Sequence, residues 1–322
     1  MIEVAALGEL LIDFIPTGES TADEPVLKAM VGGAPGNFAA AAQTYGVHSA
    51  LIGKVGADAF GNLLVSRFSR LGVETRGLIQ DGGVFTTLAF VTLSDCGDRS
   101  FSFARKPGAD TQLTAEECDV GLIDEARLFH FGTLSLTQEP VRSATVQMLA
   151  HARAKGKLIS FDPNLRLSLW SSPEAAKEQM LWGLGQADLV KISEDEVEFL
   201  FSCGEREGAA RILRQYGARL VLVTLGARGC YFATERFEGF TAAPSVHPID
   251  TTGAGDIFFG AAVSRLLRIN KEVDKWEKDE VRSAAAFGCA AASLSTQRHG
   301  GIASIPSESE VMALLHTQEA DL

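Results

Sequence analysis

Short β-rich runs alternate with helical patterns along most of this 322-residue chain, and this alternation limits the possible folds more than any other feature. Six apolar segments are predicted to be buried strands: Ile2–Leu7, Ser49–Val55, Leu128–Phe131, Leu158–Phe161, Leu189–Ile192 and Leu220–Thr224. Helical patterns between them include Gly36–Tyr45, Phe60–Leu71, Val141–Lys155 and Pro173–Gln186. We therefore expect βαβ units and an α/β fold, with a doubly wound, mostly parallel sheet and helices on both faces. Ligands of such folds bind beyond the carboxyl ends of the strands, where Gly8, Asp162, Lys191 and Thr224 lie.

Two regions interrupt the alternation, because they read as strands with no helix between them. These regions are Glu9–Val31 and Val84–Arg105, and the second contains a hairpin signal at Asp95–Asp98 between the strands Thr86–Ser94 and Arg99–Arg105. They predict a small antiparallel sheet formed by residues 9–31 and 84–110, beside an α/β core formed by residues 1–8, 32–83 and 111–322. The small sheet could be a lid over an active site, a dimer contact or both, or a peripheral hairpin without a role.

The composition argues against several classes of partner and location. A net charge of −12 disfavours nucleic acids and anionic membrane surfaces, and no apolar run approaches the length of a membrane span. Acidic residues within the first apolar stretch argue against a signal peptide. The five cysteines are scattered without a CxxC pattern, which is typical of reduced thiols in a cytosolic protein, and the six histidines lack metal-ligand spacing.

The segment Asp250–Asp256 reads DTTGAGD and lies directly before an apolar helical pattern. Glycines allow the backbone to turn tightly and to direct several N–H groups to one place, and the start of the helix adds its positive dipole end there. We expect an anion-binding turn in which the backbone N–H groups of Gly253, Ala254, Gly255 and Asp256 face a phosphate. A carboxylate beside such a turn suggests phosphoryl transfer to a hydroxyl, with Asp256 as the base. An ordinary glycine-rich helix start is the simpler alternative.

This turn is neither of the two common phosphate-binding motifs. The chain contains no GxxxxGK[ST] segment, and no GxGxxG follows its first strand. A second glycine cluster, Gly32–Asn37 (GGAPGN), opens a helix of alanines. There Gly32 and Gly33 permit a close approach to the backbone, and Asn37 offers a donor and an acceptor.

With both clusters in this order, the chain resembles the PfkB (ribokinase-like) family of carbohydrate kinases over essentially its whole length. The resemblance implies a ribokinase-like α/β core with a small β-sheet lid. Further stretches look like fructokinases: Gly8–Phe14, Phe103–Asp110, Phe161–Arg166 with Leu169–Trp170, and Lys191–Glu196. By this resemblance, Asp13, Gly32, Gly33 and Asn37 bind sugar hydroxyls. Phe103, Arg105 and Arg166 are further substrate-binding residues, and the arginines suit phosphate or carboxylate groups.

The resemblance also implies sites for ATP and for cations. The expected nucleotide residues are Lys191, Ser193, Glu196, Thr224, Gly226, Gly229 and Cys289. Glu196 matches an acidic residue that organises Mg²⁺, but the family's usual Asn is replaced by Ser193 in that motif and by Cys289 near the adenine. A monovalent cation such as K⁺ would bind the Asp250 side chain and carbonyl groups of Thr252, Ser295, Arg298 and Gly300.

We therefore expect a cytoplasmic, ATP-dependent sugar kinase that phosphorylates the primary hydroxyl of D-fructose, and we expect a homodimer formed through the lid. Alternatives are a 2-keto-3-deoxygluconate kinase, in which Arg105 and Arg166 would hold a carboxylate, and a ribokinase-type kinase. A non-catalytic sugar-binding regulator is a more remote alternative, and the presence of Asp256 argues against it.

Overall fold

A nine-stranded sheet forms the centre of the molecule, which a computed structural model describes over residues 1–17, 24–93 and 99–320. The strands in these ranges are β1 Val4–Leu7, β2 Leu11–Pro16, β3 Leu27–Gly32, β4 Ser49–Gly56, β5 Leu78–Asp81, β6 Leu88–Leu93, β7 Arg99–Ala104, β8 Leu128–Gly132, β9 Leu158–Asp162, β10 Leu189–Ser193, β11 Leu220–Thr224, β12 Gly229–Ala233 and β13 Glu238–Ala242. The α-helices are α1 Ala34–Thr44, α2 Ala59–Leu71, α3 Val120–Glu125, α4 Val141–Ala154, α5 Pro173–Leu184, α6 Glu194–Phe201, α7 Glu205–Arg211, α8 Ala254–Arg268, α9 Lys278–Ser295 and α10 Glu308–Ala320.

The main sheet has the strand order β13-β12-β11-β10-β9-β8-β1-β4-β5. Neighbouring strands from β11 to β5 are parallel, whereas β12 and β13 extend the sheet in antiparallel fashion. The predicted mostly parallel α/β fold is confirmed, and the six predicted strands and four predicted helices begin and end close to the observed ones.

Both faces of this sheet are covered, as the doubly wound prediction requires. Alternate residues of β1 belong to different hydrophobic clusters: Val4 and Ala6 pack with residues of α1, α8 and α9, while Ala5 and Leu7 pack with residues of α3, α4 and α5. The alternation follows from the pleat of a strand, which directs successive side chains to opposite faces.

The second sheet has four strands in the order β3-β2-β6-β7. The β2–β3 and β6–β7 pairs are antiparallel, as predicted, but β2 and β6 pair in parallel. The reason is topological: β2 follows β1 and β6 follows β5 after short connections, and β1 and β5 run in the same direction. The predicted hairpin turn at 95–98 lies outside the described residues, and the proposed domain division stays a prediction.

Across the described ranges, no helix is both long enough and apolar enough to cross a membrane.

Candidate active site

One edge of the main sheet collects the polar residues that follow its strands. Asp162 ends β9 and is in register with Gly132 of β8, while Ser193 of β10 is in register with Thr224 of β11. Lys191 lies near the end of β10, beside these residues. The amino-terminal ends of α1 and α8 reach the same edge: Asn37 of α1 bonds to Asp256 of α8, and a Cβ atom at Gly255 would lie 2.8 Å from Lys191 Nζ.

The predicted anion-binding turn lies at the start of α8. Gly253 precedes the helix with a φ of 75°, a left-handed conformation that favours glycine. A Cβ atom at Gly253 would lie 2.9 Å from Asn37 Nδ2, and one at Gly255 would lie 2.8 Å from Lys191 Nζ. Side chains from α1 and β10 therefore approach the turn closely, which explains why its sequence contains two glycines.

Asp256 lies in the first turn of α8, and its side chain is buried. Asn37 Nδ2 donates a hydrogen bond of 2.8 Å to Asp256 Oδ2. Burial raises the pKa of Asp256, while Lys191, the hydrogen bond from Asn37 and Arg166 act in the opposite direction. A carboxylate with a raised pKa is a better proton acceptor than one in water, which suits a general base.

The carbonyl oxygen of the Asn37 amide, Oδ1, is buried without a hydrogen-bond partner among the described residues. This atom lies against Gly301, where an added Cβ atom would be 2.4 Å from it. Asn37 therefore links the proposed base on α8 to the segment that contains Gly301.

Lys191 and Asp162 form a buried ion pair, with Nζ 3.1 Å from Oδ1 and 3.0 Å from Oδ2. Burial raises the pKa of Asp162 to about 7, although Lys191 opposes this rise. Burial also acts to lower the pKa of Lys191, but the charges of Asp162, Glu196 and Asp256 outweigh it and raise that pKa. Lys191 thus supplies a fixed positive charge next to the turn.

A cavity of about 620 Å³ opens in front of Asp256. Seven further lining residues were predicted from the sequence to belong to the site: Asp13, Gly33, Asn37, Phe103, Arg166, Thr252 and Gly253. Burial raises the pKa of Asp13 to about 7, and Arg166 opposes this rise. Gly32 on the neighbouring strand leaves room for the Asp13 carboxylate, since a Cβ atom at Gly32 would collide with it.

Arg105 does not line this cavity. Its side chain is buried, with Nε donating to Asp110 Oδ2 at 2.8 Å, Nη1 donating to Thr137 Oγ1 at 2.9 Å and Nη2 donating to the Leu134 carbonyl at 3.0 Å. Leu134 itself lines the cavity, so Arg105 lies behind the wall and supports it. Its predicted contact with substrate or phosphate stays a prediction.

The predicted nucleotide residues form two groups. Ser193 and Glu196 cap α6 reciprocally, and Glu196 Oε1 also accepts a hydrogen bond of 2.7 Å from the Leu165 backbone. Gly226 and Gly229 have positive φ values of 56° and 123° in the turn that follows β11 and Thr224. Cys289 differs, because it is buried in the core on α9, where burial raises the pKa of its thiol to about 12.

The predicted cation-binding residues lie around Asp250, whose side chain is almost fully buried. Its Oδ1 accepts a hydrogen bond of 2.9 Å from the Thr252 backbone, and its Oδ2 accepts one of 2.8 Å from the Gly300 backbone. The carbonyl of Ser295 accepts a hydrogen bond from the Arg298 backbone, so both residues belong to the turn that leads to Gly300. Asp250 therefore joins the predicted anion-binding turn to the segment that follows α9.

Two acidic residues at the site were missed as site residues by the sequence reasoning. Glu9 lines the cavity, its Oε1 accepts a hydrogen bond of 2.9 Å from the Ala34 backbone at the start of α1, and burial raises its pKa to about 7. Asp162 was recognised at a strand end but not as the partner of Lys191. An acidic residue within an apolar strand region was the available signal in both cases.

Comparison with known proteins identifies the family. Residues 1–308 match the profile described as "pfkB family carbohydrate kinase".

This chain belongs to the pfkB family of carbohydrate kinases.

Relatives within the pfkB family match nearly the full length of the chain. Fructokinase-1 of Zea mays is 42% identical over 315 residues, which cover 97% of each chain. The crystal structure of fructokinase with bound ATP from Xylella fastidiosa has a TM-score of 0.91 and 29% identity, covering 99% of this chain and 100% of that one. Fructokinase from Vibrio cholerae, in a form with bound fructose, ADP and calcium ion, has a TM-score of 0.88 and 31% identity over 98% and 99% of the two chains.

Proposed function

We propose that this pfkB-family chain is an ATP-dependent fructokinase, which transfers the γ-phosphate of ATP to the primary hydroxyl of D-fructose and releases ADP. The observation that carries the proposal is the position of Asp256, which lies both in the first turn of α8 and on the wall of the 620 Å³ cavity. The names of the full-length relatives support fructose as the acceptor.

In the proposed reaction, the Asp256 carboxylate accepts the proton of the attacking hydroxyl. The backbone N–H groups of residues 253–256 donate to the phosphoryl oxygens, where negative charge develops in the transition state. Lys191 adds positive charge beside Gly255. Closure of the four-stranded lid excludes water, which would otherwise accept the phosphoryl group.

Sugar recognition rests on the polar atoms of the cavity wall. Asp13 accepts hydrogen bonds from hydroxyl groups, Asn37 binds the sugar from the same wall, and Gly33 allows the sugar to approach the backbone. Arg166 lines the same cavity and donates to substrate oxygens. This set of donors and acceptors matches a neutral polyhydroxy compound.

The placement of Arg105 weighs against the sugar-acid alternative. A 2-keto-3-deoxygluconate kinase would use Arg105 and Arg166 to hold a carboxylate, but Arg105 is already paired with Asp110 behind the cavity wall. Exchanging that buried pair for a substrate carboxylate would leave the Asp110 charge uncompensated, which is unfavourable. Among the described arginines, Arg166 alone lines the cavity.

Cations complete the proposed chemistry. ATP is the second substrate, and Mg²⁺ would be organised by Glu196, a hard oxygen donor whose charge is close enough to influence Asp162 and Lys191. When bound, Mg²⁺ neutralises phosphate charge. A monovalent cation such as K⁺ would be held by oxygen atoms around Asp250, whose carboxylate joins the backbone segments of Thr252 and Gly300.

The proposal includes the organisation predicted from the sequence: residues 9–31 and 84–110 act as the lid, two chains associate through it, and the enzyme works in the cytoplasm. Light scattering on the purified full chain tests the dimer, and substitutions on the lid sheet test whether the lid is its contact. A monomer at assay concentration would contradict it.

A coupled assay of ADP release tests the activity itself. We expect fructose to give the highest kcat/KM in a panel with 2-keto-3-deoxygluconate, ribose and adenosine, and we expect chelation of Mg²⁺ to stop turnover. Turnover of the sugar acid but not of fructose would refute the fructose assignment and leave the sugar kinase intact. Turnover of none of the four would refute the kinase proposal.

A further inference from the structure

A second cavity, of about 750 Å³, lies at the opposite edge of the main sheet. Its lining includes Leu158 at the start of β9, together with Asp188 and Arg219, which directly precede β10 and β11. Leu266 and Leu267 at the carboxyl-terminal end of α8 also line it, so α8 runs from Asp256 to this cavity. The cavity is therefore separated from the active site by the length of a helix.

The lining of this cavity is basic although the chain as a whole carries a net charge of −12. Its charged residues are the basic Arg127, Arg153, Lys157, Arg219 and Lys271 and the acidic Asp188 and Glu272. Such a local excess of positive charge on an acidic protein attracts anions to the cavity.

Three of the basic residues are held by neutral acceptors. Arg127 Nη1 donates to the Leu267 carbonyl at 3.1 Å, Arg153 Nη2 donates to the Gln186 carbonyl at 2.6 Å, and Lys157 Nζ donates to the Asp124 carbonyl at 2.7 Å. The nearest carboxylate to Arg127 is that of Glu3, at 3.8 Å. In contrast, Arg219 and Lys271 form close ion pairs with Asp274 and Glu280.

Several donors of these side chains remain available. For Arg127 and Arg153, Nε and one of the two terminal nitrogens have no acceptor among the described residues. The side chain of Trp276 is 2% exposed and lines the same cavity, and its Nε1 is buried without a partner in the described part of the chain. Because that nitrogen is buried, Trp276 contributes its indole ring rather than a hydrogen-bond donor to the cavity wall.

Capping of helix ends explains only part of this arrangement. Basic side chains are stabilised near the carboxyl-terminal ends of helices, and Leu267 and Gln186 lie at such ends. That role uses one nitrogen of each arginine. It does not account for the clustering of five basic side chains around one concave surface.

We propose that this cavity is a binding site for a phosphate group, carried by a small phosphorylated metabolite or by free inorganic phosphate. Arg127 and Arg153 bind the phosphate oxygens, Lys157 adds a third positive charge, and Trp276 forms part of the wall beside them. A tetrahedral dianion suits this set, because it accepts several hydrogen bonds at once and arginine binds it in a bidentate manner. The site is separate from the phosphate-binding turn at Gly253–Asp256.

Tryptophan NMR on the full chain tests the proposal, because the sequence contains only three tryptophans. The protein is labelled with ¹⁵N at the indole nitrogens, and the Trp276 signal is identified by its absence in Trp276→Phe. Inorganic phosphate is then titrated in the presence of saturating ADP, which occupies the nucleotide site. We expect a saturable shift of the Trp276 signal that sodium chloride at matched ionic strength does not reproduce.

Substitutions locate the site within the cavity. Arg127→Gln and Arg153→Gln should each weaken phosphate binding by about tenfold or more, the effect of losing one charge-assisted hydrogen bond. Arg70→Gln is the matched control, because Arg70 is exposed on α2, bonded to Ser66 and outside this cavity. Equal thermal stability of the three variants would show that the fold is retained.

Fructose 6-phosphate, titrated in parallel, distinguishes the two sources of the phosphate group. Tighter binding than inorganic phosphate assigns the site to a phosphorylated metabolite, and equal or weaker binding assigns it to free phosphate. The proposal is overturned if neither ligand shifts the Trp276 signal, or if the folded Arg127→Gln and Arg153→Gln variants bind phosphate as the wild type does. Kinase activity plays no part in this readout, so the result is independent of the fructokinase proposal.

Discussion

The substitution Asp256→Asn removes the proposed proton acceptor while keeping the size of the side chain. Loss of a general base lowers kcat by roughly 10²–10⁴-fold, which corresponds to about 3–5 kcal/mol in the activation barrier. The asparagine carbonyl oxygen can still accept the hydrogen bond from Asn37 Nδ2. ATP affinity should therefore change little, because the backbone N–H groups of the turn are retained.

Stability should respond in the opposite direction from activity. Burial raises the pKa of Asp256 in the folded chain, so ionisation of this group opposes folding at neutral pH. A neutral asparagine removes that opposition, and the melting temperature at pH 7.5 should be equal to or higher than that of the wild type. A residue whose replacement lowers activity without lowering stability is serving function rather than folding.

Steady-state ADP release and calorimetric titration with ATP measure the two effects separately. Asp195→Asn is the matched control, since it makes the same chemical change at an exposed position in the first turn of α6. Its kcat should equal that of the wild type. If Asp256→Asn keeps more than a tenth of the wild-type kcat, Asp256 is not the base.

Three further substitutions follow from the same geometry. The wild type should lose unfolding free energy as the pH rises from about 4.5 to about 7, because burial raises the pKa values of Glu9, Asp13 and Asp162 to about 7. Glu9→Gln should make this loss smaller by at most about 3 kcal/mol. Urea unfolding at pH 5 and pH 7.5 measures it, and parallel curves for the two proteins would contradict it. Gly255→Ala should lower both ATP affinity and kcat, because the new Cβ atom would lie 2.8 Å from Lys191 Nζ and would displace that charge from the turn. Unchanged kinetic constants would mean that the turn does not contact phosphate. Arg105→Ala should destabilise the fold by roughly 3–5 kcal/mol, because the buried Asp110 loses its ion-pair partner. If the variant instead keeps the wild-type urea midpoint and has a reduced kcat, the result favours direct contact of Arg105 with the phosphoryl group.

Features that depend on neighbouring positions in the chain could be predicted from the sequence. The alternation of strands and helices follows from the spacing of apolar residues, which decides locally which surface each segment can bury. The glycines before α8 and α1 predicted backbone turns at helix starts, and both helices begin where expected. Asp256 was recognised because its role is tied to the turn immediately before it.

Features that join distant segments were decided only by the tertiary structure. Asn37 and Asp256 are 219 positions apart and Asp162 and Lys191 are 29 apart, so no local pattern contains either pair. The burial of Arg105 behind Leu134 and the parallel pairing of β2 with β6 likewise depend on how the four-stranded sheet joins the core.

By itself, therefore, the sequence determined the α/β alternation, the glycine turn before α8 and the identity of the proposed base. The tertiary structure decided which side chains surround that base, how far their pKa values move, and which basic residues meet at the opposite edge of the sheet. The physical reason is that hydrogen-bonded turns and apolar periodicity act over a few residues, whereas burial and electrostatic pairing depend on which distant segments the topology brings together.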